Sequence, residues 1–356
     1  MRRRLTIAVV VVVAVALVAV AAFVALRWWQ DRSRSELEQA TSYAPSDAER
    51  LSWTDWAAVR STLGVHLDGS SSGGEVRHFL DRGFDRDLTS TSALVQSATA
   101  LQAHFGFSPA TADWELFSQS EQGAVVIIKM PDGTDFGAIA DQLERSGFTR
   151  PASGDTDGEV WLGGDTLLPE IGADITPELQ YVALDAADHL VLTSDGEPYL
   201  AQTVAQLGDG ELSQGMRDVV AASGEPLSAA IYDGPYTCSA LAMSHADRSD
   251  QQEADQLLSQ AGEVNPVTGF AMSAQPGGHV RVALGFESGD QARTNADTRS
   301  VLASGPAPGQ GGDFSDRFTV GSATADGNVV TLDLEPTKGS YVLSDLSTGP
   351  VLFATC

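Results

Sequence analysis

The stretch Trp114-Glu115-Leu116-Phe117-Ser118-Gln119-Ser120-Glu121-Gln122-Gly123-Ala124-Val125-Val126-Ile127-Ile128 decides the reading of the fold. Trp114-Glu115-Leu116-Phe117 reads as a strand and Glu121-Gln122-Gly123 as a turn. Residues 124–128 form an unbroken apolar run, the pattern of a strand buried on both faces. Pro131-Asp132-Gly133 stops that strand, and Thr134 or Asp135 can then cap a helix. Phe136, Ile139, Ala140 and Leu143 follow at helical spacing, which places them on one face. Gly147 suits the left-handed residue that ends such a helix.

A second stretch repeats this order. Phe270-Ala271-Met272-Ser273-Ala274 reads as a strand and Pro276-Gly277-Gly278 as a turn. Val280, Val282, Leu284 and Phe286 alternate as in a strand with one buried face. Ser288-Gly289-Asp290 opens a helix with Ala292, Ala296 and Leu302 inward, ending near Gly305.

Working outward, each stretch sits in a similar frame. Residues 51–53 and 227–232 read as the preceding strands, with helices over 55–63 and, in the second half, 238–244. Residues 180–184 and 190–193 form a strand pair after the first stretch, joined by Asp185-Ala186-Ala187-Asp188. Residues 318–322 and 329–334 form one after the second, joined by Ala325-Asp326-Gly327-Asn328, where Asp-Gly is a strong hairpin signal. A helix follows Pro198 with Leu200, Val204 and Leu207 inward and Gly208 closing it, and 341–346 reads as its counterpart. The expectation is an α+β chain of two β-α-β-β-α-β-β-α-like units, 50–222 and 223–356, as if by internal duplication. The first unit carries extra helices over 76–84 and 91–104 around a polar tip, Gly69-Ser70-Ser71-Ser72-Gly73-Gly74. Residue 51 is the expected start of folded structure. In the second unit, residues 351–354 read as a closing strand-like run.

Ahead of these units lies residues 5–26, from Leu5 to Leu26, an uncharged run broken only by Thr6. As a helix it would span about 33 Å, against about 30 Å of bilayer hydrocarbon. Lipid leaves the backbone no other partner than itself, so such a run is helical despite its many valines. Arg2, Arg3 and Arg4 precede it; Arg27, Trp28 and Trp29 follow it, and these aromatics favour the headgroup layer. Ala19-Val20-Ala21 could serve as a signal cleavage site, but the apolar run continues past it to Leu26, longer than a signal core. The reading is an uncleaved single-pass transmembrane helix with a cytoplasmic tail of residues 1–4 and a juxtamembrane linker of residues 27–49, in which residues 33–40 can form a helix. The three leading arginines tilt the N-terminus to the cytoplasm and the C-terminal domain outside, in the cell envelope.

Residues 35–356 hold 15 of the 21 basic and 47 of the 48 acidic side chains, a formal net charge of −32. Such a field repels nucleic acid and favours cationic partners. Hydrophobic residues make up 42% of the chain, ample for a packed core rather than a disordered stalk. Beyond the lipid bilayer met by residues 5–26, the expected partner is an envelope protein or a cationic molecule.

Chemistry is less legible. His66, His78, His104, His189, His245 and His279 show no metal-ligand spacing, and no Gly-x-Ser-x-Gly elbow occurs. Gly309-Gln310-Gly311-Gly312-Asp313 lacks the Lys-Ser/Thr of a phosphate loop. Asp155, Asp157 and Glu159 alternate around Gly154 and Gly158, with Asp165 nearby, which makes them the calcium candidate; a distal bidentate Glu is missing. A solvated acidic turn fits the same residues. No other cofactor is suggested. In an oxidising compartment Cys238 and Cys356, the chain's two cysteines, most simply pair.

Arg50-Leu51-Ser52-Trp53-Thr54-Asp55-Trp56 and Gly349-Pro350-Val351-Leu352-Phe353-Ala354-Thr355-Cys356 resemble segments of single-pass membrane-anchored envelope proteins of high-GC Gram-positive bacteria. That resemblance implies a compartment and brings no activity or site with it. The functional expectation is a tethered, non-enzymatic binding or interaction module; the alternative is an anchored envelope hydrolase whose site is assembled from distant residues.

Overall fold

A computed structural model describes residues 34–152 and 158–356. The transmembrane reading of residues 5–26 lies outside the described residues. Among the described residues no helix is long and apolar enough to cross a membrane.

The first half runs Glu36–Ala40 (α1), Arg50–Asp55 (β1), Trp56–Leu63 (α2), Gly73–Phe84 (α3) and Ala98–His104 (α4). Trp114–Gln119 (β2), Ala124–Lys129 (β3), Phe136–Arg145 (α5), Val160–Leu162 (β4) and Gly164–Ile171 (α6) follow. Tyr181–Asp185 (β5), Leu190–Ser194 (β6), Glu197–Ala205 (α7) and Gln214–Ser223 (α8) complete it. The second half runs Ser228–Asp233 (β7), Arg248–Ala261 (α9), Gly269–Ala274 (β8), Val280–Gly285 (β9) and Gly289–Leu302 (α10). It closes with Phe318–Asp326 (β10), Val329–Pro336 (β11) and Val342–Leu346 (α11).

Among the described residues all the strands join one antiparallel sheet, in the order β10-β11-β9-β8-β7-β1-β2-β3-β6-β5-β4. The halves meet where β1 pairs antiparallel with β7, Arg50 opposite Tyr232 and Thr54 opposite Ser228. Outward from that seam the order is β1-β2-β3-β6-β5 on one side and β7-β8-β9-β11-β10 on the other. The same topology is thus repeated, with β4 as an added edge. The fold is α+β, with helices on both faces of the sheet.

Strand alternation builds two cores. Val126 and Ile128 enter the larger core with Trp56, Phe79, Leu143, Met272 and Leu284. Val125 and Ile127 enter the other with Leu51, Trp53, Leu200, Met216 and Ile231. The run 124–128 is therefore apolar because both its faces are buried, and β3 lies inside the sheet between β2 and β6. Asp135 caps α5 by accepting from the Ala138 amide (3.1 Å), and Gly147 takes φ +100° beyond its end. Asp326-Gly327-Asn328 turns β10 into β11, with Gly327 at φ +55°.

Several expectations need correction. Folded structure begins before Leu51. Ser35 and Glu38 form a reciprocal capping box on α1, and Leu37, Ala40, Ala44 and Ala48 are buried in the second core. The stretch 35–49 is a docked segment because Leu37 and three alanines along it are buried against that core. The polar tip is partly helical: Ser72 and Glu75 form a capping box, and Gly73 and Gly74 make the first turn of α3. Residues 351–354 are not a strand; Leu352–Ala354 is a short 3-10 turn buried in the larger core. The helix α11 exists, but it is not the counterpart of α7. Val342, Leu343 and Leu346 pack in the larger core, whereas Tyr199 and Leu200 of α7 pack in the other. The reason is occupancy: α8 lies over β7, β8 and β9, so the chain leaving β11 must cover the opposite face. The helices α6, α8 and α9 and the strand β4 were not legible in the sequence.

Candidate functional site

Acidic residues inside an apolar fold invite a search for chemistry. Glu115 faces into the larger core from β2 and is fully buried. Its carboxylate accepts from Trp56 Nε1 (2.9 Å), Ser92 Oγ (2.8 Å) and the Ala93 amide (2.7 Å). Burial pushes its pKa up to about 7, against these hydrogen bonds, which lower it. All three donors belong to the wall around it, so Glu115 fastens the 92–94 loop and α2 to the sheet. The lone acid in Trp114-Glu115-Leu116-Phe117 was the visible signal, unread because a strand edge explains it equally well.

Asp87 works between the halves. It adopts φ +56° and its carboxylate accepts from the amides of Leu343 (2.6 Å) and Ser344 (3.1 Å), at the start of α11. Burial raises its pKa to about 6. Asp55 likewise caps α2, accepting from the Ala58 amide at 2.7 Å, and burial raises its pKa to about 6. Arg299 is buried with no carboxylate partner among the described residues. It donates to the carbonyls of Phe353 (3.0 Å) and Asn265 (2.6 Å), to Asn295 Oδ1 (3.1 Å) and to the Thr355 carbonyl. Burial lowers its pKa to about 9. Arg299 thus holds the C-terminal segment, and the disulfide Cys238–Cys356 closes over the same segment with Cα atoms 5.6 Å apart.

The sequence-derived calcium candidate falls only in part on the described residues. Asp155 and Asp157 lie outside the described residues. Glu159 and Asp165 are exposed on either side of β4. Among the described residues no group of three or more His, Cys, Asp or Glu gathers as metal ligands. Of the histidines, His279 comes within 4.0 Å of Asp333, which Arg281 and Ser322 already engage at 2.9 and 3.0 Å.

Among the clefts open to solvent is a polar one of 390 Å³ on the second-core side. Its walls are the 43–47 segment that follows α1, the β2–β3 turn and α7, with Asp209 and Gly210 closing one end. Asp47 accepts from Ser120 Oγ (2.7 Å) and from the Tyr199 hydroxyl (3.3 Å), tying three walls together. Burial raises the Tyr199 pKa, which keeps this hydroxyl a neutral donor. Gly123 lets the turn approach: a Cβ there would stand 2.6 Å from the Tyr199 ring. Gly210 does the same at the far end, 2.1 Å from the Ala44 carbonyl oxygen in that sense. Sequence reading could not find this cleft, because its residues come from four segments and none is an unusual type.

The sequence matches no protein family and no curated protein. Among solved structures, crystal form III of TP0453 covers 86% of this chain and 97% of its own, with TM-score 0.40 and 7% identity. Crystal form I of TP0453 covers 88% and 97%, with TM-score 0.39 and 8% identity. Likeness of that degree supports no functional argument.

Proposed function

We propose that this chain is a single-pass, membrane-tethered, extracytoplasmic binding module, and that the polar cleft beside α7 receives its ligand. One observation carries this reading. The side-chain amides of Gln122, Gln202 and Gln206 line the cleft and make no hydrogen bond among the described residues, while the wall behind them is held by Asp47. Unengaged polar groups on a braced wall are what a binding site needs. The strongly perturbed Glu115 supports the alternative hydrolase weakly, since its oxygens are spent on Trp56, Ser92 and Ala93 inside the core. The repeated strand order supports an internal duplication. The anchor rests on residues 5–26 and the compartment on the disulfide. A photo-crosslinking amino acid at Gln202 of the intact chain, expressed in its membrane, tests the site. Adducts at Gln202 that do not form from a probe at exposed Val301 are expected. Equal labelling from both positions would remove the cleft as the binding site.

A further inference from the structure

Charge and hydrogen-bond stoichiometry narrow the ligand of this cleft. Resting on the binding reading above, we infer that it takes a neutral, hydroxyl-rich molecule of mono- or disaccharide size. Asp47 and Asp209 line the cleft and no cationic side chain does, in a protein of net charge −27, so an anion meets only repulsion. A cation needs carboxylate oxygens free to turn toward it. Both oxygens of Asp47 already accept hydroxyl protons from the wall, at 2.7 and 3.3 Å, which leaves the exposed Asp209 at one end as the single lining carboxylate a cation could engage freely. The dominant free groups are the amides of Gln122, Gln202 and Gln206. An amide offers a donor and an acceptor together, and a sugar hydroxyl offers the complementary pair. An ammonium ion could use only the acceptor half. An apolar ligand would leave all three amides desolvated without partners, which is costly. The volume of 390 Å³ falls at the small end of ligand clefts, typically about 300–1,000 Å³. The site is also preformed: Gly210 lies directly on the Ala44 carbonyl, and Tyr199 is locked between Asp47 and Gly123, so binding orders only the glutamine side chains.

The test uses the full chain in lipid nanodiscs, free of sugar detergents, with ligand-observed saturation-transfer NMR. The probes are maltose, cellobiose, trehalose and methyl α-mannoside, with spermidine and citrate as cationic and anionic probes. Transfer to at least one sugar is expected, with neither charged probe competing. The double variant Gln202→Ala/Gln206→Ala should weaken that binding about tenfold or more at unchanged thermal stability, since both residues are exposed. No transfer to any of the four sugars overturns the saccharide assignment. If spermidine or citrate binds instead and the double variant abolishes it, the binding reading survives with a different ligand class. If none of the probes binds, the assignment falls and the crosslinking result alone decides the broader reading. Sugar binding indifferent to the double variant would show that the site is elsewhere.

Discussion

Glu115 shows how one polar side chain can organise an apolar region. Its carboxylate is the partner of an indole N–H, a hydroxyl and a backbone amide, all within 2.9 Å. Removing it strands the Trp56 and Ala93 donors in the core, where each unpaired group costs about 1–3 kcal/mol. Glu115→Ala should therefore lower unfolding free energy by about 3 kcal/mol or more, read from the denaturant midpoint. Glu115→Gln, which keeps shape but loses one acceptor, should cost about 1 kcal/mol. Equal losses in the two variants would mean that packing, and not this hydrogen-bond set, is what Glu115 supplies. Arg299 plays the same part for the C-terminus, a cation dispersed over four oxygen acceptors with the Phe286 ring 5.8 Å away.

At the scale of elements, the ends of the chain are held by distant parts of the fold. The C-terminal segment is fixed by Arg299, by the disulfide and through α11 by Asp87 of the first half. The Cys238–Cys356 bond closes a loop of sequence separation 118, for which the loss of unfolded-chain entropy stabilises the fold by up to about 5 kcal/mol. Cys356→Ser should lower the melting temperature, and reductant should do so for the native protein but not for the variant. Two free thiols in natively exported protein would refute the bridge. The N-terminal segment is held differently, by small buried side chains: Leu37, Ala40, Ala44 and Ala48 cover the core around Leu51, Trp53 and Met216. A chain beginning at Arg50 should melt below one beginning at Arg34 and should bind hydrophobic dye, measured by calorimetry and fluorescence. Identical melting of the two would show that α1 merely rests on the domain.

For the whole molecule, charge and burial set the pH response. Glu115, Asp87 and Asp55 all have pKa values raised by burial, to about 7, 6 and 6, from ordinary values of 4.5, 3.8 and 3.8. Between these limits the folded state holds more protons than the unfolded, so stability falls as pH rises. Their favourable contribution is fully present below about pH 4 and is lost as pH climbs through 6 to 7. Melting temperature should thus be higher at pH 5 than at pH 8, and Glu115→Gln should flatten the profile. A stability maximum at pH 8 would contradict it. The net charge of −27 pushes the same way, since protonation relieves self-repulsion. The proposed tether makes a separate prediction. Protease added to intact, wall-stripped cells should degrade everything beyond about residue 35 and leave a small anchored fragment. Protection of the whole chain until lysis would place the domain on the other side.

The sequence by itself determined what periodicity and turn chemistry control. The run 124–128 announced a doubly buried strand, Asp135 and Gly147 bounded a helix, and Asp326-Gly327 announced a hairpin. Because the pattern recurred in the second half, the repeated strand order was legible too. Two cysteines sufficed to suggest their pairing. A helix without an apolar inward stripe leaves no periodic signal: α9 buries Ala254 alone, whereas α10 was legible from Ala292, Ala296 and Leu302 although it also turns Asn295 and Arg299 inward. Only tertiary structure decided which sheet face each helix covers, because α8 had already taken one side when the chain reached α11. The cleft belongs to that second kind of knowledge. Asp47, Gln122, Tyr199 and Gln202 are ordinary residue types in three separate segments until the strand pairing and the docking of the 35–49 segment bring them to one wall. Local pattern records how each segment buries its own apolar face; it does not record which polar remainders end up facing one another.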